Sequence, residues 1–293
     1  MKTTIELDDG FFPGDISNKI RSTICSSLEG ITTDGKKFVI NDKIFFRKQK
    51  DGNIKPCVMN SASYISKLFQ KNLSGYNGCQ GETKLLDQSF DGLMRINYSG
   101  LSYKLKEEKD VIDVAKEYIE LQGLHKSAIY NLFPMFYGMY IDRGCFSIPT
   151  LPKTQHLFKS SNVDHIYTIG VEFETGNVSS SFRAINKLNN LFQQGAIDGG
   201  CFITSIDKAN SATRIWPASN RNGSFQELKQ RFYKNQIALP LVGIGFAPDD
   251  FSQEVGFLSN TGSIYFLERK KLNDQKTGLA VYQDDEGREF FSV

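Results

Sequence analysis

The chain has 293 residues, 40% hydrophobic and 23% charged, with 35 Lys and Arg against 33 Asp and Glu for a formal net charge of +2. This balance excludes a disordered or fibrous chain, and the length suffices to bury a core without covalent staples. Near-neutrality does not announce a nucleic-acid binder, although a basic cleft can be offset by acidic surface elsewhere.

In chain order, Ile16, Ile20, Ile24 and Leu28 recur at helical spacing and predict a helix that stops at Gly30. Lys37–Arg47 suggests two strands around Asn41-Asp42, followed by a turn over Lys48–Asn53 with Asp51-Gly52 at its centre. Ala62–Phe69 reads as a helix, and the Gly-rich, polar stretch Ser74–Gly92 reads as loop. Val111–Leu121 fits either period: Ile112 and Val114 alternate, while Val111, Val114, Tyr118 and Leu121 share a helix face. Strands are expected at Tyr140-Ile141, Cys145–Ile148, His165–Glu174, Cys201–Ile206 and Leu239–Phe246, and helices at Val178–Phe192 and Phe225–Phe232. Alternating strands and helices imply an α/β fold with helices packed on a sheet. A terminal hairpin is expected from Ile264–Leu267 and Leu279–Tyr282.

The five cysteines (Cys25, Cys57, Cys79, Cys145 and Cys201) are odd in number, scattered and free of any Cys-x-x-Cys pair. Free thiols in a reducing cytoplasm are expected rather than zinc or disulfides. The polar start Met1–Asp9 does not read as a signal peptide, and no apolar run of about 18 residues spans a membrane. His125, His156 and His165 lack metal spacing, and no Gly-x-x-x-x-Gly-Lys loop indicates a nucleotide cofactor. Arg47, Lys48 and Lys50, and Arg269, Lys270 and Lys271, are either phosphate contacts or a solvated face.

The most informative run is Ile169–Ser180. Strand period two puts Glu172 and Glu174 on one face and Ile169, Val171 and Phe173 on the other. Paired acids at a strand end suit a hard cation such as Mg²⁺, and Asn177 can cap the helix that follows. The same acids also suit the wet side of an edge strand, and spacing does not choose between the two.

Gly170–Asp198 resembles, without a gap, the BamHI family of restriction endonucleases. The matching residues are Gly170, Glu172-Phe173-Glu174-Thr175-Gly176-Asn177, Ser179-Ser180, Arg183, Asn186-Lys187-Leu188, Gly195 and Ile197-Asp198. Shorter matches are Arg221, Phe225 and Glu227-Leu228; Pro240 and Ile244-Gly245-Phe246; and Ile112-Asp113-Val114, Lys116-Glu117 and Ile119-Glu120. Together they span roughly a quarter of the chain. The resemblance implies a single restriction-endonuclease-like α/β domain, a central mixed sheet flanked by helices, in a prokaryotic cytoplasmic enzyme. Within it, about 1–80 has no assigned role, the nuclease core covers about 81–250, and an insertion falls at about 122–164. It further implies a homodimer that cuts double-stranded DNA within a short palindrome, using Mg²⁺ and leaving 5′ overhangs. The dimer contact would involve the helices Val178–Phe192 and Phe225–Phe232.

Carried across, Glu172 and the backbone carbonyl of Phe173 are expected as metal ligands and Glu174 as the residue that activates water, at a position where most relatives of the fold have Lys. Asn177, Ser179, Arg183, Asn220 and Arg221 are expected DNA contacts. The family reads GGATCC with an Asp-Arg pair ahead of its Phe-x-Glu-Leu helix, and Asn220-Arg221 stands at that spacing here. A six-base palindrome that retains a guanine but differs from GGATCC is therefore expected. The family also needs an Asp on an earlier strand. The equivalent distance falls on Gln155, so Asp113 is the expected ligand, with Asp142 as rival and Glu82 as a further upstream acid. A non-cleaving DNA-binding protein and a non-specific repair nuclease are the competing readings, the first opposed by the intact Glu172/Glu174 pair, the second by Asn177 and Arg221.

Overall fold

The computed structural model describes residues 1–8, 12–106, 110–129, 136, 156–175, 178–206, 225, 228 and 239–292. The helices are α1 (Gly14–Glu29), α2 (Ala62–Leu73), α3 (Val111–Leu121) and α4 (Val178–Gln193). The principal strands are β1 (Lys2–Asp8), β2 (Val39–Ile40), β3 (Phe46–Lys48), β4 (Ile54–Pro56), β5 (Cys79–Gln80), β6 (Thr83–Leu85), β7 (Gln88–Phe90), β8 (Gly92–Leu105), β9 (Phe158–Glu174), β10 (Gly199–Ser205) and β11 (Leu241–Ala247). Six of them form a mixed sheet in the order β1-β11-β10-β9-β8-β5, with β9, β10 and β11 parallel and β8 antiparallel to β9. Helices cover both faces, as the α/β expectation requires.

Each helix forms because one face is apolar at period 3.6. In α1, Ile16, Ile20, Ile24 and Leu28 are fully buried against the sheet, and the helix ends at Gly30. α2 begins at Ser61, whose side chain accepts a hydrogen bond from the Ser63 amide at 3.2 Å, and buries Ile65, Phe69 and Leu73 beside α1. Fully burying such a side chain contributes roughly 1.5–3 kcal/mol. α4 lies on the opposite face, where Ile185, Leu188, Leu191 and Phe192 meet Phe202, Leu239 and Leu241.

α4 approaches the sheet closely because the strands beneath it carry glycine. Gly170 of β9 and Gly200 of β10 are register partners, and Leu188 seats over both. A Cβ at position 170 would stand 2.7 Å from Leu188 Cδ2, and one at 200 would stand 3.0 Å from Leu188 Cδ1.

Several elements differ from expectation. Val111–Leu121 is a helix, capped by the Asp110 carboxylate, which accepts from the Ile112 amide at 2.8 Å. Ser74–Gly92 contains β5, β6 and β7 and leads into β8, a 14-residue strand hidden by its mixed polar pattern. The strands around Asn41-Asp42 exist but do not pair with each other; β3 pairs with β4 across the turn, where Gly52 takes φ +82°. At the C-terminus, Ile264 and Tyr265 pair with Phe257 and Leu258 instead of with Leu279–Tyr282. Val281 and its neighbours join a five-stranded sheet with β3 and β4. The expected strands at Tyr140-Ile141 and Cys145–Ile148 lie outside the described residues.

Beyond the sheet, β8 and β9 continue as a two-stranded ribbon from Arg95↔Thr168 to Leu105↔Phe158, while β10 pairs with β9 only over Ile169–Glu174. α3 packs at the far end of this ribbon, with Tyr118 edge-on to Phe158 at 6.1 Å.

Filling the notch under Leu188 should misplace α4. Gly170→Val is expected to lower stability to urea by about 1–3 kcal/mol, the usual cost of overpacking. The Gly170→Ala/Leu188→Ala pair should destabilise by less than the sum of its single changes, because the two side chains compete for one space.

Candidate active site

β9 alternates as its sequence requires. Phe173 points into the α1/α2 core, stacked on Phe69 at 5.5 Å and on Phe246 at 5.2 Å. Glu172 therefore points to the opposite face, beneath α4, and is only 3% exposed. The wet-edge alternative for Glu172 is thereby removed, since β9 is an interior strand and this carboxylate is buried. Glu174 is partly exposed on the same face, where β9 ends four residues before α4 begins.

Lys187 of α4 reaches back over the Phe90 ring at 5.3 Å and places Nζ 2.5 Å from Glu172 Oε1. Its ammonium also donates to the Ser89 carbonyl at 2.6 Å. The ammonium is in direct contact with Glu172 Oε1, and that oxygen is sealed from solvent.

The strand partner brings a third acid. Gly92 pairs with Val171, so the next step of the register sets Asp91 opposite Glu172. The Phe173 amide donates to Asp91 Oδ2 at 3.0 Å, and Gln70 Nε2 donates to Oδ1 at 3.3 Å. Burial raises the Asp91 carboxyl above the ordinary range, opposed by the Phe173 amide and Lys187 and reinforced by Glu82. Burial likewise pushes Glu172 up to about 8, with Asp91 and Glu174 adding to the effect and Lys187 opposing it. The Lys187 ammonium does not offset the cost of burial at either carboxyl.

The expected site residues divide clearly. Glu172, Phe173 and Glu174 occupy one strand end, and Glu82 acts on Asp91 through its charge. Asp113 stands apart from them in the structure. It lies on the exposed face of α3, paired with Lys116 at 3.3 Å, while the buried face of α3 packs against Phe158. From Phe158 to Glu172 the strand runs 172 − 158 = 14 residues, roughly 45 Å at the rise of a strand. A likeness in local sequence did not mark a like position. The acid that the structure brings beside Glu172 is Asp91, just before the alternation Leu93, Arg95 and Asn97 against Met94, Ile96 and Tyr98, inside a stretch that reads as loop.

Arg183 is exposed on α4, its guanidinium 3.2 Å from Ser180 Oγ. Ser179 lies in the first turn of α4. Asn177, Asn220, Arg221 and Asp142 lie outside the described residues, as does all of the expected helix Phe225–Phe232 except Phe225 and Leu228.

Among the described residues no three His, Cys, Asp or Glu side chains are gathered closely enough to hold a metal by themselves. Two carboxylates nevertheless suit Mg²⁺, which takes one or two from protein and completes its shell with water and phosphate oxygens. The sealed Glu172 oxygen and the two carboxyls raised by burial mark a buried cluster short of positive charge. The residues fit a divalent cation.

The sequence profile of the family described as Restriction endonuclease BamHI matches residues 1–257. The chain belongs to the BamHI restriction endonuclease family. The match reaches well beyond the short blocks legible by eye and includes β1, α1 and α2, which cover and extend the sheet. The type II restriction enzyme BamHI of Bacillus amyloliquefaciens is 31% identical over 87 residues, 30% of this chain. That alignment spans 38% of the relative's length. Residues 258–293, which contribute to the five-stranded sheet, lie beyond the BamHI family match. No helix of the described residues is long and apolar enough to cross a membrane.

Burial of Glu172 predicts a pH dependence. Unfolded, this carboxyl ionises near 4.5; folded, it holds its proton to about 8. Its stabilising contribution is full below the lower value and drains as pH rises through the upper one. Metal-free protein should therefore lose on the order of a few kcal/mol between these limits. Glu172→Gln should flatten that part of the profile, as read by thermal unfolding in EDTA across the window.

Proposed function

We propose that this protein is a type II restriction endonuclease that hydrolyses double-stranded DNA within a short palindrome, using Mg²⁺. The observation that carries the reading is the meeting of Asp91, Glu172 and Glu174 where β9 ends and α4 begins, in a chain of this family. Asp91, Glu172 and the Phe173 backbone carbonyl would hold the cation. Bound there, it would lower the pKa of water and neutralise charge on the scissile phosphate.

In this reading Glu174, the most accessible of the strand-end acids, orients the attacking water and takes its proton. Buried Glu172 is held rigid by β10 on one side and α4 on the other, as a ligand must be. Asp91 is fixed by the Phe173 amide, so backbone pairing of β8 and β9 sets the spacing between the acids. The first turn of α4 presents backbone N–H groups that suit phosphate oxygens. Asn177, Ser179 and Arg183 contact DNA there. Asn220 and Arg221 read base edges, with Arg221 on a guanine. Two copies act together, each on one strand, since a palindrome mirrors a two-fold axis. The product ends carry 5′ overhangs.

The placement of the aspartate gives a direct test. Asp91→Asn and Glu172→Gln should each reduce Mg²⁺-dependent nicking of supercoiled plasmid by at least about 10²–10³-fold, the scale of losing one electrostatic catalytic contact. Asp113→Asn should cut at the wild-type rate. Wild-type activity in Asp91→Asn would remove Asp91 from the site.

Base readout has its own signature. Losing a bidentate Arg–guanine pair costs about 1–3 kcal/mol of discrimination. Arg221→Ala should therefore weaken binding to the cleaved sequence far more than to unrelated DNA. Sequencing of the cut ends identifies that sequence, and discrete fragments distinguish it from random nicking.

A further inference from the structure

Lys187 is the one cation that the described residues bring against Glu172, and it is poised in an unusual way. Its Nζ stands 2.5 Å from Glu172 Oε1, and its charge is also felt by Asp91, so the ammonium is against one of the acids assigned above to the metal and within electrostatic reach of the other. A divalent ion on a carboxylate oxygen sits about 2.0–2.1 Å from it. Oε1 is already sealed from solvent with the ammonium against it. A metal reaching that oxygen and an ammonium at this distance would need nearly the same space, and two cations so close repel strongly in a buried setting.

We propose that in the metal-free protein the Lys187 ammonium occupies the Glu172 side of the Asp91–Glu172 site, and that it and the divalent cation exclude one another there. The proposal rests on the reading of Asp91 and Glu172 as metal ligands.

The local structure allows the exchange. The Lys187 side chain is 25% exposed, so its head has a path to water, and its flexible four-carbon stem can swing without moving α4, which Leu188 pins over Gly170 and Gly200. Lys187 and Arg183 are four residues apart, on one face of α4, and long helical side chains lean toward the helix N-terminus. A displaced ammonium therefore moves toward the end of α4 assigned to DNA phosphate. The lysine would act as a positioning residue that fills the space beside Glu172 until a metal replaces it.

The full-length, DNA-free protein can be titrated with Ca²⁺ alone, following heat release and the rise in melting temperature. Lys187→Met keeps the stem and removes the charge. It should bind Ca²⁺ roughly tenfold more tightly than wild type, the lower end of couplings measured for close charge pairs. Its melting temperature should fall below wild type in EDTA and match it in saturating Ca²⁺. Lys187→Arg, which restores the charge, should return both values toward wild type. A merely structural lysine would lower stability equally with and without Ca²⁺ and would not tighten binding. Glu172→Gln separates the two layers of the argument. If it leaves Ca²⁺ affinity intact, the metal reading falls and this proposal with it. If Glu172→Gln weakens Ca²⁺ binding while Lys187→Met leaves it unchanged or weaker, the metal reading stands and the exchange at Lys187 is overturned.

Discussion

The period-two alternation of one buried strand organises this protein. β9 is interior, so both of its faces must be covered, and each successive residue is assigned to a different core. Ile169, Val171 and Phe173 enter the core beneath α1 and α2, where Phe173 lies between Phe69 and Phe246. Gly170 and Glu172 face α4. A one-residue slip would put two carboxylates into an aromatic core and a bulky apolar side chain into the glycine notch that seats Leu188, so the register is strongly specified.

The second face is built for close approach. The Gly170–Gly200 pair leaves room for Leu188, and seating Leu188 sets the height of α4 above the strand. The neighbouring Lys187 is thereby brought to Glu172, and the first turn of α4 follows directly on the strand's last acid. The contact that seats the helix thus also positions the one cationic side chain that the described residues bring against the buried glutamate. The carboxyls at this spot are raised because burial removes water faster than nearby positive charge compensates for it. Such stored electrostatic tension is what a cation relieves, and it is typical of sites rather than of scaffolds.

Much of the long reach of the molecule lies away from this centre. The β8–β9 ribbon carries α3 to its far end, so residues close to the nuclease block by likeness of sequence stand far from it in space. The β3–β4 hairpin and the C-terminal strands form a separate sheet around Phe45, Met59, Phe257 and Phe290. Part of that sheet lies past the family match.

The sequence by itself determined the pattern-borne elements. The apolar stripe of α1, the strand ending in Glu172 and Glu174, the α4 helix and the α/β class all follow from local periodicity, because one face of each element must be dry. The likeness over Gly170–Asp198 was legible because chemistry and fold occupy one unbroken stretch there. The partner acid was not, because strand pairing joins residues without regard to their distance along the chain. Asp91 and Glu172 are 172 − 91 = 81 residues apart and meet only through the register of β8 on β9. Asp113 had the better neighbours in sequence, but its helix buries Val114 and Tyr118 against the far end of the ribbon, which carries the carboxylate away. The burial of Glu172 and its contact with Lys187 were likewise decided by tertiary structure, since they depend on how deeply a helix settles over two glycines contributed by different strands.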